Sequence, residues 1–431
     1  MSSFIEQELR ARGVSQVIAL MKEVPGSPAP RRSLSAPVGL VNAARLPGRL
    51  SGVAGHFIRS ELSLTGQLLN GCAFDDGLAP HARRARVAPV PAARFYPYLN
   101  AVLGTVDREG LAALRRDRRV EEVVGALPLR LIRPWRVAAA KRPGSYEWGL
   151  RVLGVPALHR QGLTGKGVLV GHLDTGADGR HPALRGAIRH FAEFDDLGRE
   201  RRPAPRPYDT DAHGTHTAAT IAGRPVRGTV VGAAPGARLA SAIVIEGGDV
   251  VARVLGGMDW AIGLGVRVVS MSLGFPGYWT DFLALTRLLR RRGVLPVFAV
   301  GNEGPGTSRS PGNYAEALSV GACARDRTVP RFSSSQRFRR GADAIVPDLV
   351  APGVGIVSAR PGGGWQAMDG TSMATPHVAG LAALLMEAAP GRAADEIERA
   401  LFESCRLSPR MSPERAHRGL PSGPRALRLL V

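Results

Sequence analysis

Residues 370–380 read Gly-Thr-Ser-Met-Ala-Thr-Pro-His-Val-Ala-Gly, a small-residue turn running into an apolar helical pattern. Ser372 stands where that helix begins, and the first backbone N–H groups of a helix have no partner inside it. A serine in this place can simply cap its own helix, which is the ordinary use of the residue. It can also present an exposed hydroxyl with backbone N–H donors alongside. Which use applies depends on what the rest of the chain brings to it.

Three other segments bear on that choice. Val168-Leu169-Val170-Gly171-His172-Leu173 is a short apolar run of strand type ending on Asp174-Thr175-Gly176. It puts a carboxylate at the carboxyl end of a parallel strand, where ligand chemistry gathers in open α/β sheets. His213-Gly214-Thr215-His216-Thr217-Ala218-Ala219 opens a helix of small residues, able to pack closely beneath a cleft while His213 faces out of it. Leu295-Pro296-Val297-Phe298-Ala299-Val300 is another buried strand, and it leaves Asn302 at its end. Taken singly, Asp174 reads as a turn residue, His213 as a helix N-terminal residue and Asn302 as a loop former. In combination they supply an acid, a base, a nucleophile and an amide donor.

Together the four segments resemble the subtilisin-like serine proteases (subtilases, peptidase S8), over residues 146 to 405. The match around Ser372 is close to letter-perfect, whereas Ala212 precedes His213 where the family often has glycine. Pro156 to Gly162, Gly257 to Ile262 and Val269 to Gly274 match as well. The resemblance implies a three-layer α/β fold with a mainly parallel sheet between helices, and a catalytic triad of Asp174, His213 and Ser372. In it His213 takes the proton of the serine hydroxyl and returns it to the leaving amine. Asp174 holds the imidazole in the right tautomer and stabilises its cation. The Asn302 amide, with the Ser372 backbone N–H, forms the oxyanion hole.

The resemblance also implies substrate bound as an added strand. Ser272, Leu273 and Gly274 would pair with it and line one wall of the primary pocket, with Ala299, Val300 and Gly301 opposite. No ring of acidic residues marks a preference for basic side chains, so a broad or hydrophobic preference is expected. His216 and His377 are expected as partly buried helix residues, and His181 and Asp178 carry no catalytic role. No cofactor or metal is expected. Family calcium sites need several oxygen ligands, but His181-Pro182-Ala183-Leu184 has alanine where the family often has aspartate. The stretch Gly223 to Gly228 has no carboxylate or carboxamide side chain.

The chain has 431 residues, 44% of them hydrophobic, enough for large cores in more than one domain. Apolar strands alternate with helical patterns at 249–263, 279–292 and 376–389, which favours a parallel sheet covered on both faces. Residues 1–142 differ, being rich in Arg, Pro and Ala with loop-like runs at 25–32 and 79–94. Strands are expected at 14–21, near 96 and at 120–124, with a helix at 108–116. This pattern resembles the ferredoxin-like inhibitory propeptide of subtilases, a small α+β domain, which implies a folding template whose last strand then blocks the cleft. Cleavage is expected near residues 138–146, in the polar junction. The organisation is then 1–142 N-terminal region with disordered stretches, 143–405 protease domain and 406–431 basic tail. An unrelated N-terminal domain is the alternative.

A net charge of +21 raises the question of nucleic acid. Lysine occurs only at 22, 141 and 166, and no nucleic-acid-binding motif accompanies the arginines. No specific nucleic acid is expected as a partner. The partners expected are protein or peptide substrates and the chain's own N-terminal region as inhibitor. The arginines at 287, 290, 291 and 292 read as a solvated helix end. Cys72, Cys323 and Cys405 cannot form a complete disulfide framework. The first ten residues contain acids where a secretory signal has a basic start and an apolar core, and no run is long enough to span a membrane. The sequence leaves a cytoplasmic location and export by an unrecognised route both open.

Three functional classes follow. The leading one is a serine endopeptidase made as a self-inhibited precursor. A macrocyclase or acyl transferase would pass the same acyl intermediate to an amine, although no added capping domain is evident to exclude water. A catalytically silent binding protein is disfavoured, because every catalytic position is filled.

Overall fold

The computed structural model describes residues 4–23, 52–58, 93–195, 198–245, 249–339 and 344–431. The chain divides into two compact units. One comprises Met1–Pro128 with Asp195–Glu200 and Gly247–Asp259, and the other comprises the rest.

The smaller unit is built on four strands, β1 (Ser15–Met21), β2 (Arg94–Tyr96), β3 (Ala101–Val106) and β4 (Val120–Gly125), in the order β2-β3-β1-β4. All neighbours are antiparallel, and this is the strand order of a ferredoxin-like split βαβ arrangement. Asp107 caps the Arg108–Arg116 helix by accepting from the Gly110 N–H, and Leu111 and Leu114 from that helix join Ile5, Leu9, Val17 and Val102 in the core. The expected strand at 14–21 and helix at 108–116 are both present. The loop-like run at 25–32, most of that at 79–94, and Cys72 lie outside the described residues.

Within the same unit Asp249 takes hydrogen bonds from Gln16 Nε2 at 2.8 Å and Arg94 at 3.0 Å. Asp259 takes them from the Tyr98 and Leu99 N–H groups at 2.6 and 2.9 Å. Burial pushes the Asp259 carboxyl up to about 7, against the two N–H bonds that favour its charged form.

The larger unit begins with two short strands, β5 (Arg130–Leu131) and β6 (Arg136–Ala140). Its centre is a sheet of β7 (Leu169–Asp174), β8 (Ile188–Glu193), β9 (Arg238–Ile243), β10 (Val268–Met271), β12 (Leu295–Ala299), β14 (Leu318–Cys323) and β17 (Leu349–Pro352). The order is β17-β14-β12-β10-β7-β9-β8, and every pairing is parallel. Strands β10, β12, β14 and β17 are buried along their whole length, as parallel strands covered on both faces must be. This is the three-layer α/β fold expected. Two further sheets form from β11 (Leu273–Pro276) with β13 (Arg309–Ser310) and β5, and from β18 (Ile356–Ala359) with β19 (Trp365–Asp369) and β6. β15 (Gln336–Arg337) and β16 (Ile345–Val346) make a small hairpin.

The Thr371–Ala388 helix packs against β10, β12, β14 and β17 and against the His213–Ala222 helix. It begins one residue before Ser372, where the turn at Gly370 leads one to expect it, and takes in the apolar pattern from 376 to 388. Pro376, which favours a first turn, instead lies inside the helix, where its missing N–H leaves the Ser372 carbonyl without its usual partner. Residues 406–431 contain the helices Pro413–Ala416 and Gly423–Arg428, and Ala426, Leu427 and Leu430 are buried in the main core. Arg290, expected in a solvated helix end, is instead held by Glu398 at 2.5 and 2.7 Å and by the Glu316 carbonyl at 2.7 Å. Among the described residues no helix is long and apolar enough to cross a membrane.

Candidate active site

β7 ends at Asp174, and the helix that opens at His213 is brought against that strand end by a glycine. A methyl group on Gly214 would lie 2.0 Å from the Gly176 carbonyl oxygen, so no larger residue fits there. Ala212 gives this helix no side-chain cap. Aspartates just upstream take over: Asp211 Oδ1 accepts from the Ala212 and His213 N–H groups, and Asp209 Oδ2 accepts from the Thr215 N–H and hydroxyl. The first helical N–H groups are thus satisfied from outside the helix.

His213 and Asp174 meet with Nδ1 to Oδ1 at 2.8 Å, both side chains almost fully buried. The same carboxylate oxygen accepts the Thr175 N–H at 2.8 Å, and the other accepts the Thr217 hydroxyl at 3.3 Å. Burial is the largest influence and lowers the imidazole, but the Asp174 charge and hydrogen bond, with the charges of Asp209 and Asp211, together hold His213 above its ordinary value. In the same way burial pushes Asp174 up while the imidazole and its hydrogen bonds pull it below the usual carboxylate range. The two shifts describe one pair that favours carboxylate beside imidazolium. His213 Nε2 is buried and has no hydrogen-bond partner among the described residues.

Ser372, the second residue of its helix, is fully buried. Its Oγ donates to the Ile132 carbonyl at 2.7 Å rather than to His213. Asn302 Nδ2 donates to the next carbonyl, Arg133, at 2.8 Å. Asn302 Oδ1 accepts from the Thr371 N–H at 2.9 Å and its hydroxyl at 3.0 Å, which settles which end of the amide faces out. Thr371 was not singled out from the sequence; its only signal there was adjacency to Ser372.

Ser272, Leu273 and Gly274 carry a paired strand. Ile132 N–H donates to the Ser272 carbonyl at 2.9 Å, Leu131 lies opposite Leu273 and Arg130 opposite Gly274, antiparallel. The backbone of the stretch expected to form the opposite wall is engaged within the fold, for Val300 O accepts from Arg309 N–H and Gly301 O from Ser334 N–H. Ala299 lies at the end of β12, fully buried. The bond nearest the serine is therefore Ile132–Arg133, upstream of the 138–146 stretch that the sequence offered for cleavage. Residues 136–140 instead run as β6 along β19.

His216 and His377 are fully rather than partly buried. His216 Nε2 meets the Ile356 carbonyl at 2.9 Å, and burial pushes this imidazole down to about 3. His172, which the sequence reading passed over, sits beneath Asp174 with Nδ1 at 3.0 Å from Ser241 Oγ and Nε2 at 2.9 Å from Thr217 Oγ1. Burial drives it down to about 4, so it stays neutral beside the pair. His181 Nε2 donates to the Gly364 carbonyl and Asp178 accepts from Gly362 N–H; both tie loops together.

At the loop where a family calcium would be sought, the Arg224 guanidinium donates to the carbonyls of Ala222, Gly186 and Ala237. These residues do not fit a hard cation, since a bound positive side chain already uses the carbonyl oxygens. Cys323 and Cys405 are free and buried, their thiols pushed up to about 12 by burial.

Fold and site together define an α/β protein with an acid–imidazole pair at a parallel strand end and a serine at a helix start. The chain belongs to the subtilase family, whose model matches residues 165–418. It is 40% identical to the M-protease of Shouchella clausii (strain KSM-K16) over 248 residues, 57% of this chain and 61% of that protein. The chain thus spans about three-fifths of this relative's length. Subtilisin Savinase of Lederbergia lenta is also 40% identical, over 57% of this chain and 86% of its own. Subtilisin E of Bacillus subtilis (strain 168) is 35% identical over 68% of this chain and 72% of its own.

Proposed function

We propose that this chain is a serine endopeptidase made as a self-inhibited precursor, with Asp174, His213 and Ser372 as its triad and Asn302 in its oxyanion hole. The observation that carries the reading is the strand at residues 130–132. It is bound as a substrate would be, antiparallel to Leu273–Gly274, with its carbonyl at Ile132 on the Ser372 hydroxyl. In the reaction Ser372 Oγ attacks the carbonyl carbon while its proton passes to His213 Nε2, which is unengaged. The imidazolium so formed is stabilised by Asp174. The Asn302 amide takes the developing negative charge on the carbonyl oxygen, and collapse of the intermediate expels the amine with the proton from His213. Water then releases the acyl group by the same steps in reverse roles.

The own N-terminal region acts as inhibitor, and Ile132–Arg133 is the bond it presents. In the intact chain Asn302 holds the Arg133 carbonyl rather than that of Ile132, so serine and amide engage successive carbonyls. Cleavage needs both on one, and a one-residue adjustment separates rest from reaction. Incubation with a fluorophosphonate probe and an unstructured protein substrate tests the reading. Labelling and hydrolysis that vanish together in Ser372→Ala support it; hydrolysis by the variant at the parent rate defeats it.

A further inference from the structure

Two charged residues, Arg309 and Glu303, lie against the stretches expected to wall the primary pocket. Arg309 is fixed to both. Its backbone N–H donates to the Val300 carbonyl at 2.9 Å, and its NH1 donates to the Gly274 carbonyl at 3.3 Å. A methyl group on Gly274 would lie 3.1 Å from Arg309 Cβ, and one on Gly301 would lie 3.2 Å from Arg309 Cγ and 2.6 Å from Glu303 Oε2. The small residues of each wall are thus set directly against this side chain. Arg309 Nε and NH2 both donate to Glu303 Oε1, at 2.8 and 2.6 Å. The second carboxylate oxygen accepts from the Asn302 N–H at 3.0 Å and Ser334 Oγ at 3.3 Å.

The hydrogen-bond inventory of this pair is unequal. A carboxylate offers about four acceptor positions and a guanidinium five N–H donors. Glu303 has committed each oxygen twice. Arg309 has committed Nε–H and one N–H of each terminal nitrogen, which leaves a donor on each. Its side chain is 15% exposed and that of Glu303 34%, so neither is sealed within the core. Ile132 is the chain's own residue at the position before the serine, and an isoleucine side chain asks nothing of those donors.

We propose that Arg309, oriented by Glu303, determines specificity at the residue before the scissile bond. It admits glutamine and glutamate beside aliphatic side chains and disfavours lysine and arginine. The inference rests on the endopeptidase reading above and refines the broad preference expected from sequence. A glutamyl carboxylate can receive the unspent N–H groups, whereas a lysyl ammonium finds a carboxylate with no free acceptor and a guanidinium of like charge.

The test uses the full chain as it purifies, with matched fluorogenic peptides differing only in that residue: isoleucine, glutamine, glutamate or lysine. Each kcat/KM is divided by the same enzyme's value for isoleucine. The parent should favour glutamate over lysine by about tenfold or more, the discrimination one well-placed polar contact supplies. Glu303→Gln should raise the glutamate ratio further, and Arg309→Gln should lower it while raising the lysine ratio. Arg309→Lys, which keeps the charge without the fork, should retain part of the glutamate preference and serves if the glutamine variant fails to fold. Ratios that stay put in the Glu303 and Arg309 variants, with hydrolysis intact, overturn the inference and leave the protease reading standing. Hydrolysis of none of the peptides by a parent that has cut itself between Ile132 and Arg133 overturns both.

Discussion

Replacing Asp174 by asparagine keeps the shape of the site and removes the charge that holds the imidazolium. The His213 Nδ1 to Asp174 Oδ1 distance is 2.8 Å, with both groups almost fully buried. At that separation and an effective dielectric of about 20, the Coulomb attraction is about 6 kcal/mol, an upper bound. A charge-assisted hydrogen bond nets about 1.5–3 kcal/mol, and removing one partner of a buried pair costs about 3–5 kcal/mol. That range corresponds to a loss of about 10²–10⁴ in kcat/KM at neutral pH. The pH profile adds a signed test. In the parent, His213 lies above its ordinary value because Asp174, helped by Asp209 and Asp211, more than offsets burial, so activity is lost as pH falls through a point above about 6.5. In Asp174→Asn burial is opposed only by the weaker Asp209 and Asp211 charges, and the acid limb should move to lower pH even as the rate drops. Peptide hydrolysis measured from pH 5 to 9 decides. A variant with the parental rate and the parental acid limb refutes the pairing as the source of catalysis.

Asn302→Ala should lower kcat by about 100-fold or more while KM changes little, because the amide is worth most in the transition state; a pure KM effect counts against the assignment. Thr371→Val removes the hydroxyl that fixes Asn302 Oδ1 and should lower kcat in the same sense but less, leaving the Thr371 N–H contact in place. His172 and His216 are held at about 4 and about 3, below their unfolded value. The parent should therefore lose stability in urea melts as pH falls from about 6.5 toward 4, and a flat profile contradicts their burial as neutral groups. His172→Leu leaves Ser241 without its partner and should cost about 1–3 kcal/mol at neutral pH; unchanged stability argues against the network.

What the sequence made legible was local and repetitive. Strand β7 ending on Asp174, the small-residue helix behind His213 and the strand ahead of Asn302 each carry their pattern within ten residues, and the parallel sheet follows from their alternation. The start of the Thr371–Ala388 helix was legible from the small-residue turn at Gly370, whereas the place of Pro376 inside the helix shows only in the tertiary packing. The Asp209 and Asp211 caps were invisible, since side chains that act from outside a helix leave no periodic trace. The pairing of Arg290 with Glu398 was equally hidden: a run of arginines looks solvated until the distant acid is placed beside it. Ile132 against Ser372 joins positions 240 residues apart, and no local pattern marks which residue of the junction meets the serine. Arg309 escaped for the same reason, lying apart in sequence from Gly274, whose carbonyl it touches.

Intact mass and N-terminal sequencing of the purified chain, beside its Ser372→Ala variant, test the central claim most directly. The account predicts that the parent divides between Ile132 and Arg133 and gains peptidase activity as it does, while Ser372→Ala remains uncut. An active parent whose N-terminus is still Met1 or Ser2, or a Ser372→Ala chain cut at the same bond, contradicts it.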